Sequence, residues 1–209
     1  MPDIRLDTLF NARLMPKAGP GFYDNFERAN SPTLGVSSGE RRAYRVHGES
    51  GARFTVEDGK ATARTAGASE AVAAYETLDA ETTIGTLTAR LFAQGNRMGG
   101  ICYGMSGETI PQNFYRIGLR NSPTDLVYRI DRYENGSQAA TTRTEIAPAD
   151  GDLIQVVLTE TTHEVRINGV AISGPSARRA NTLNNRHGLY LVTGADGIQF
   201  DAIQFDPAA

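Results

Sequence analysis

Phe22-Tyr23-Asp24-Asn25-Phe26-Glu27-Arg28-Ala29-Asn30, with Leu34-Gly35 just behind it, has a counterpart near the other end of the chain. There the sequence runs Gly197-Ile198-Gln199-Phe200-Asp201-Ala202-Ile203-Gln204-Phe205-Asp206. Both are short alternating runs rich in aromatic and β-branched residues, the pattern of half-buried strands. A first and a last strand of this kind predict a β-sandwich whose ends pair within one sheet. The same reading sets residues 21–209 apart from residues 1–20.

Strand patterns fill the interval. Ala43-Tyr44-Arg45-Val46 and Arg53-Phe54-Thr55-Val56 read as strands, with Glu57-Asp58-Gly59-Lys60 as the turn that follows. Residues 68–78 have a helix-favouring composition, but they lie between strand-like segments and no cap opens them, so they are read as a strand. Thr82 to Phe92 is rich in Thr, Ile and Leu. In Gly99 to Met105 the alternation puts Ile101, Tyr103 and Met105 on one face. Tyr115, Ile117 and Leu119 alternate with Arg116 and Arg120, and Leu126, Tyr128 and Ile130 alternate with Arg129 and Asp131. Glu134-Asn135-Gly136-Ser137 and the Asn168-Gly169 tip are hairpin turns. Leu153 to Thr159 and Gly188 to Val192 complete the strands. Many short strands with Gly-rich turns predict two packed antiparallel sheets.

Composition agrees. A chain of 209 residues, 40% hydrophobic, with Gly 22 and Pro 9, fits one sizeable turn-rich domain plus an appendage. A net charge of −3 argues against a nucleic-acid partner. All but Lys17 and Lys60 of the 21 basic residues are arginine. That reflects either planar, bidentate recognition of polar groups or a habit of the source genome. The single cysteine, Cys102, excludes an intrachain disulfide and reads as a small core residue. No stretch has the roughly 20 apolar residues of a membrane span. Met1-Pro2-Asp3-Ile4-Arg5-Leu6-Asp7 does not read as a signal peptide. The expectation is synthesis in the cytoplasm, with any exterior role reached by assembly into a particle or by lysis.

Leu6, Leu9, Phe10 and Leu14 lie at helical spacing and form a candidate amphipathic arm. Pro16-Lys17-Ala18-Gly19-Pro20-Gly21 then breaks the chain as a hinge. A stripe this short does not fold alone. It either packs on the sandwich or docks onto a partner.

Taken together, Asp24-Asn25-Phe26-Glu27-Arg28-Ala29 with Leu34-Gly35, Gly100-Ile101-Cys102-Tyr103, Asn113-Phe114-Tyr115-Arg116, Asp150-Gly151-Asp152, Val165-Arg166-Ile167-Asn168-Gly169, Gly188-Leu189-Tyr190 and the Phe200-to-Phe205 ending resemble a known family in order and spacing. The chain is similar to the concanavalin A-like, or laminin-G-like, jelly rolls of carbohydrate-associated and phage virion proteins. The resemblance implies an all-β, antiparallel two-sheet β-sandwich with a short N-terminal arm. It also implies the roles such domains serve: glycan binding, polysaccharide hydrolysis, or filling space on a particle surface. An arm, a hinge and a terminal jelly roll resemble head fibres, spikes and tail adhesins.

Fold does not settle chemistry. Retaining hydrolysis needs two carboxylates about 5 Å apart, and no Glu-x-Asp-x-Glu pattern occurs in the sequence. Asp79-Ala80-Glu81 reads as solvated turn charge. His47, His163 and His187 show no metal spacing and read as surface histidines. There is no nucleophile elbow and no phosphate loop. Gly95-Asn96-Arg97-Met98-Gly99-Gly100 reads as a turn. Asp24, Asp201 and Asp206 approach each other if the ends pair, but no Asp-x-Asp-x-Asp loop supports Ca²⁺, so no cofactor is expected.

Glycan binding needs aromatic platforms and planar polar groups. Trp is absent, leaving Tyr103, Tyr115, Tyr128 and Tyr133 with Arg90, Asn113, Arg116, Arg120 and Arg129. Arg116 and Arg129 alternate with core residues and so share the face opposite the core. The candidate ligand set is Tyr103, Asn113, Arg116 and Arg129. The alternative for the same residues is a solvated face laced with cross-strand ion pairs, for example Arg129 or Arg132 with Asp131 or Glu134. The leading expectation is a non-enzymatic surface or adhesion module. Leu6, Leu9, Phe10 and Leu14 would attach it to a larger protein assembly such as a phage particle, and the jelly roll would meet cell-surface polysaccharide. A purely structural decoration or fibre protein and a sugar-active hydrolase are the alternatives. A homo-oligomer is compatible with this reading, although no heptads specify one.

Overall fold

A computed structural model of the chain describes residues 21–48, 52–64, 73–92, 99–121, 126–178, 183–192 and 198–208. The arm residues Leu6, Leu9, Phe10 and Leu14 lie outside the described residues. In chain order the strands are β1 (Phe22–Asp24), β2 (Arg45–Gly48), β3 (Arg53–Glu57), β4 (Lys60–Arg64), β5 (Ala73–Asp79), β6 (Gly85–Phe92), β7 (Gly99–Met105), β8 (Phe114–Asn121), β9 (Leu126–Glu134), β10 (Ser137–Arg143), β11 (Asp152–Leu158), β12 (Thr162–Ile167), β13 (Val170–Ala177), β14 (Arg186–Val192) and β15 (Gln199–Pro207). They build two antiparallel sheets. The eight-stranded sheet runs β13-β12-β11-β6-β15-β4-β3, with β1 also paired to β15, and the seven-stranded sheet runs β10-β9-β8-β7-β14-β5-β2. This is the sandwich that the alternation predicts. Among the described residues no helix is long and apolar enough to cross a membrane.

The matched ends do pair: Phe22 lies opposite Phe205 and Asp24 opposite Ile203. The rings of Phe22 and Phe205 stack at 6.1 Å. The opening motif then turns a corner. Asp24 is fully buried. Its Oδ1 accepts from the Phe26 N–H at 3.0 Å, which holds Phe26 in the left-handed region at φ 57. Arg28 closes on the same carboxylate at 2.7 and 3.0 Å and donates to the Leu34 carbonyl at 2.6 Å. The conspicuous Asp-Asn-Phe-Glu-Arg run is therefore a structural clamp.

The core fills the space between the sheets. Leu189, Ile101, Ile117 and Ile130 are register neighbours across β14, β7, β8 and β9, and all face inward. Opposite them stand Leu87, Ala89 and Leu91 of β6 and Ile154, Val156 and Leu158 of β11. Each fully buried Leu or Ile contributes about 1.5–3 kcal/mol. Three predicted hairpin turns hold, whereas Gly99 and Gly100 of the glycine-rich run read as a turn belong to β7, and residues 95–98 of that run lie outside the described residues. Asn135-Gly136, Asn168-Gly169 and Asp58-Gly59 all have positive φ at both positions, as type I′ hairpins require.

Residues 73–79 form the expected strand despite their helical composition, because pairing with both β14 and β2 overrides propensity, and residues 68–72 of that reading lie outside the described residues. Two local readings change. Met105 leaves the face of Ile101 and Tyr103. Gly104 has φ +65, and β7 takes three steps from Cys102 to Met105 where β14 takes two from Gly188 to Arg186, so a bulge turns Met105 outward onto Cys102. The three histidines are buried, not superficial. His47 donates from Nδ1 to the Glu108 carbonyl at 2.5 Å, His163 bonds the Tyr103 hydroxyl at 2.6 Å, and His187 stacks on Phe205 at 4.5 Å. Burial, then nearby arginines, pushes His163 down to about 4. Burial and Arg178 push His187 down to about 3. Both are neutral at physiological pH.

A candidate ligand-binding face

The outward positions of the seven-stranded sheet follow from its register. Tyr75, Tyr190, Gly100, Gly118, Arg129 and Arg143 are successive cross-strand partners from β5 to β10. Directly paired residues share a face, and the adjacent inward row is the Leu189-to-Ile130 core, so this row faces out. Two places along is a second outward row: Thr77, Gly188, Cys102, Arg116, Asp131 and Thr141.

The glycines of the first row are obligatory. A Cβ on Gly100 would lie 2.1 Å from the Ile117 carbonyl oxygen, and one on Gly118 would lie 2.1 Å from that of Gly99. The result is a strip two strands wide without side chains, flanked by the buried Tyr190 on one side and the partly exposed Arg129 on the other, with both glycines themselves buried. Around it the rings converge. Tyr75 meets Tyr190 at 6.2 Å and Phe114 at 5.0 Å, and Phe114 stacks on Tyr133 at 4.6 Å. Strands β5 and β8 are three places apart, about 14 Å in a flat sheet. Rings rooted that far apart reach 5.0 Å because the sheet curves toward this face along the diagonal that joins them.

Arg116 lies among these rings, with its guanidinium carbon 4.8 Å from the Tyr133 centroid and 5.1 Å from that of Tyr190. Its Nε donates to Asp131 Oδ2 at 3.0 Å. Asp131 Oδ1 accepts from Arg129 at 3.0 Å and from the Thr141 hydroxyl at 2.6 Å. Burial raises the Asp131 pKa, but the Thr141 hydroxyl, Arg116 and Arg129 outweigh it and hold the carboxyl below its usual range. Burial pushes the Cys102 thiol up, so it stays protonated. Among the described residues no group of three His, Cys, Asp or Glu is placed to hold a metal ion. Asp24 is taken by Arg28, Asp201 faces Arg90 at 3.6 Å, and Asp206 accepts from Gln204.

Of the predicted ligand residues, Arg116 and Arg129 come together through Asp131 on this face. Tyr103 does not join them: it is fully buried between the sheets, stacked on Tyr115 at 5.3 Å. Its strand alternates, so the side that holds Ile101 holds Tyr103. Asn113 precedes β8, and its Oδ1 accepts from the Asn135 N–H at 3.0 Å, anchoring the β9–β10 turn. Sequence reasoning missed Tyr75, Tyr190, Phe114, Asp131 and Thr141 as members of the site. Phe114 had a signal, because it alternates in phase with Arg116. Tyr75 and Tyr190 had none, since only the β5–β14 pairing joins them.

No protein-family model matches the chain, and no curated protein matches it in sequence. Solved structures do. The chain is similar to a β-glucanase of Bacillus licheniformis at 9% identity, covering 92% of this chain and 100% of that one with TM-score 0.60. A legume lectin-like domain from Entamoeba histolytica matches at 8% identity over 79% and 90% with TM-score 0.51. The carbohydrate binding module CBM66 from Bacillus subtilis matches at 12% identity over 77% and 91% with TM-score 0.50. The fold is thus a concanavalin A-like jelly roll, shared by glycoside hydrolases and by non-enzymatic binding modules.

Proposed function

We propose that the protein is a non-enzymatic carbohydrate-binding module that takes its glycan on the bowed outer face of the seven-stranded sheet. One observation carries the reading: a side-chain-free floor at Gly100 and Gly118 runs between aromatic rings on one side and Arg129 on the other. Tyrosine rings cover the C–H face of a sugar and arginine forks donate to adjacent hydroxyls, and here the partly exposed Tyr133 and Arg129 are the members of the face that a ligand reaches. The strand carboxylates of this face, Asp131 and Asp79, stand on β9 and β5 and are each held by an arginine. Glycoside hydrolysis needs one carboxyl that keeps its proton to serve as the acid, whereas Arg116 and Arg129 help hold Asp131 below its usual range. The hydrolase reading therefore has less support.

The wider role we infer is attachment at a virion or particle surface. The helical spacing of Leu6, Leu9, Phe10 and Leu14 and the Pro-Gly hinge behind them support it. The arm seats the protein on a larger assembly, and many copies make weak sugar contacts effective. A glycan array probed with the full chain in multivalent form tests the binding. Specific capture that is lost in Tyr133→Ala supports the module. Absence of binding across a broad array leaves a purely structural role. Release of reducing ends from a bound polysaccharide restores the hydrolase.

A further inference from the structure

We infer that the ligand of this face is an acidic saccharide, held by its carboxylate or sulfate between Arg129 and Arg143; this rests on the reading of the face as a glycan site. Arg129 and Arg143 are direct cross-strand partners on β9 and β10. Like charges placed so are destabilising. Arg143 is exposed, and among the described residues no hydrogen bond or ion pair holds it. Arg129 gives Nη2 to Asp131 and Thr141, while its Nε is buried without a partner. The outward positions of β8, β9 and β10 that flank the floor carry Arg116, Arg129 and Arg143 against one carboxylate, Asp131. This patch is positive on a chain whose net charge is −3. On the eight-stranded sheet Arg53 and Arg64 are also direct cross-strand partners, but there Glu57 pairs with Arg64 alone, and Arg90 and Arg166 pair with Asp201 and Glu164. Here Asp131 is shared between Arg116 and Arg129, so the patch stays net positive. The Arg129–Arg143 pair stands beside Gly118 at the margin of the glycine strip, and an anion between the two forks relieves it by paired, charge-assisted hydrogen bonds.

The test compares full-length protein binding to oligogalacturonate, dextran sulfate and neutral dextran of matched length. The expected result is at least about tenfold tighter binding of an acidic ligand than of dextran at about 0.05 M salt, fading toward about 0.5 M. Whether oligogalacturonate or dextran sulfate is preferred distinguishes a carboxylate from a sulfate. Arg143→Gln, at an exposed position, removes the preference, whereas Arg166→Gln on the opposite sheet keeps it. Equal affinity for dextran overturns the acidic class and leaves the glycan site standing. Binding of no glycan here or on the broad array overturns both. An acidic preference that survives Arg143→Gln, or falls equally in Arg166→Gln, overturns the placement.

Discussion

The two outer faces of this sandwich are made by the same alternation and differ in almost everything else. The eight-stranded sheet shows Thr86, Thr88 and Arg90 on β6 and Gln199, Asp201 and Gln204 on β15, small polar groups with charges paired to their neighbours. The outer side of the seven-stranded sheet carries a packed cluster of Tyr75, Phe114 and Tyr190 with the partly exposed Tyr133 at its edge, an unbalanced set of arginines and a buried glycine strip. The first face is what solvation alone asks for. The second keeps features that weaken a sheet: glycines in mid-strand, an arginine set among rings, and three arginines around one carboxylate. A face that departs from the local rules without a structural gain is where function is expected.

The comparison breaks most sharply at the floor. Gly118→Val drives a side chain into the Gly99 carbonyl and is expected to destabilise by about 4 kcal/mol, whereas Thr88→Val on the other face stays within about 0.5 kcal/mol. Urea unfolding measures both, and equal effects would show that the floor is not tightly closed. Next is Asp131→Asn, expected to destabilise by about 3 kcal/mol because it strands Arg116 and Arg129. The folded Asp131 pKa is depressed, so its contribution is present above the unfolded value of about 3.9 and is lost as pH falls below it. The Asn variant should lack that part of the acid-induced loss.

Glu76 tests the inner side of the strand that presents Tyr75. It is buried, its Oε1 accepts from the Phe54 N–H at 2.6 Å, and burial pushes its pKa up to about 7. A carboxyl raised on folding contributes stability below its unfolded value of about 4.3 and loses it as pH rises through the folded one. Wild type is therefore expected to lose about 3 kcal/mol between pH 4 and pH 7.5 from this group. A pH series of melts on Glu76→Gln should be flatter, with glycan binding unchanged. The smallest effect is Tyr103→Phe, about 1 kcal/mol from the lost bond to His163. Sugar binding that falls with this change would return Tyr103 to the site.

Much of the architecture was legible because alternation and turn chemistry are local. The Phe22 and Phe205 runs, the Asn-Gly hairpins and the shared side of Arg116 and Arg129 all follow from neighbours a few residues apart. Tyr103 was legible too, since the period that buries Ile101 buries it. Its phenol drew it into the candidate site against its own strand pattern. What sequence hid is set by distant pairing. Tyr75 finds Tyr190, and His163 finds Tyr103, only once strands far apart in the chain lie in register or face to face. The Gly104 bulge that turns Met105 around and the floor made by Gly100 and Gly118 also read differently in one dimension, where glycine signals a turn.

Strand β15 has a consequence for how the protein is made. It pairs with β6 along one edge, and with β4 and then β1 along the other. A nascent chain that has reached β14 therefore holds its larger sheet in disconnected pieces, with the open edges of β6 and β4 exposed to other chains. Closure waits until residues 199–207 clear the ribosome, so this span sets both when the domain folds and how long it needs protection from aggregation.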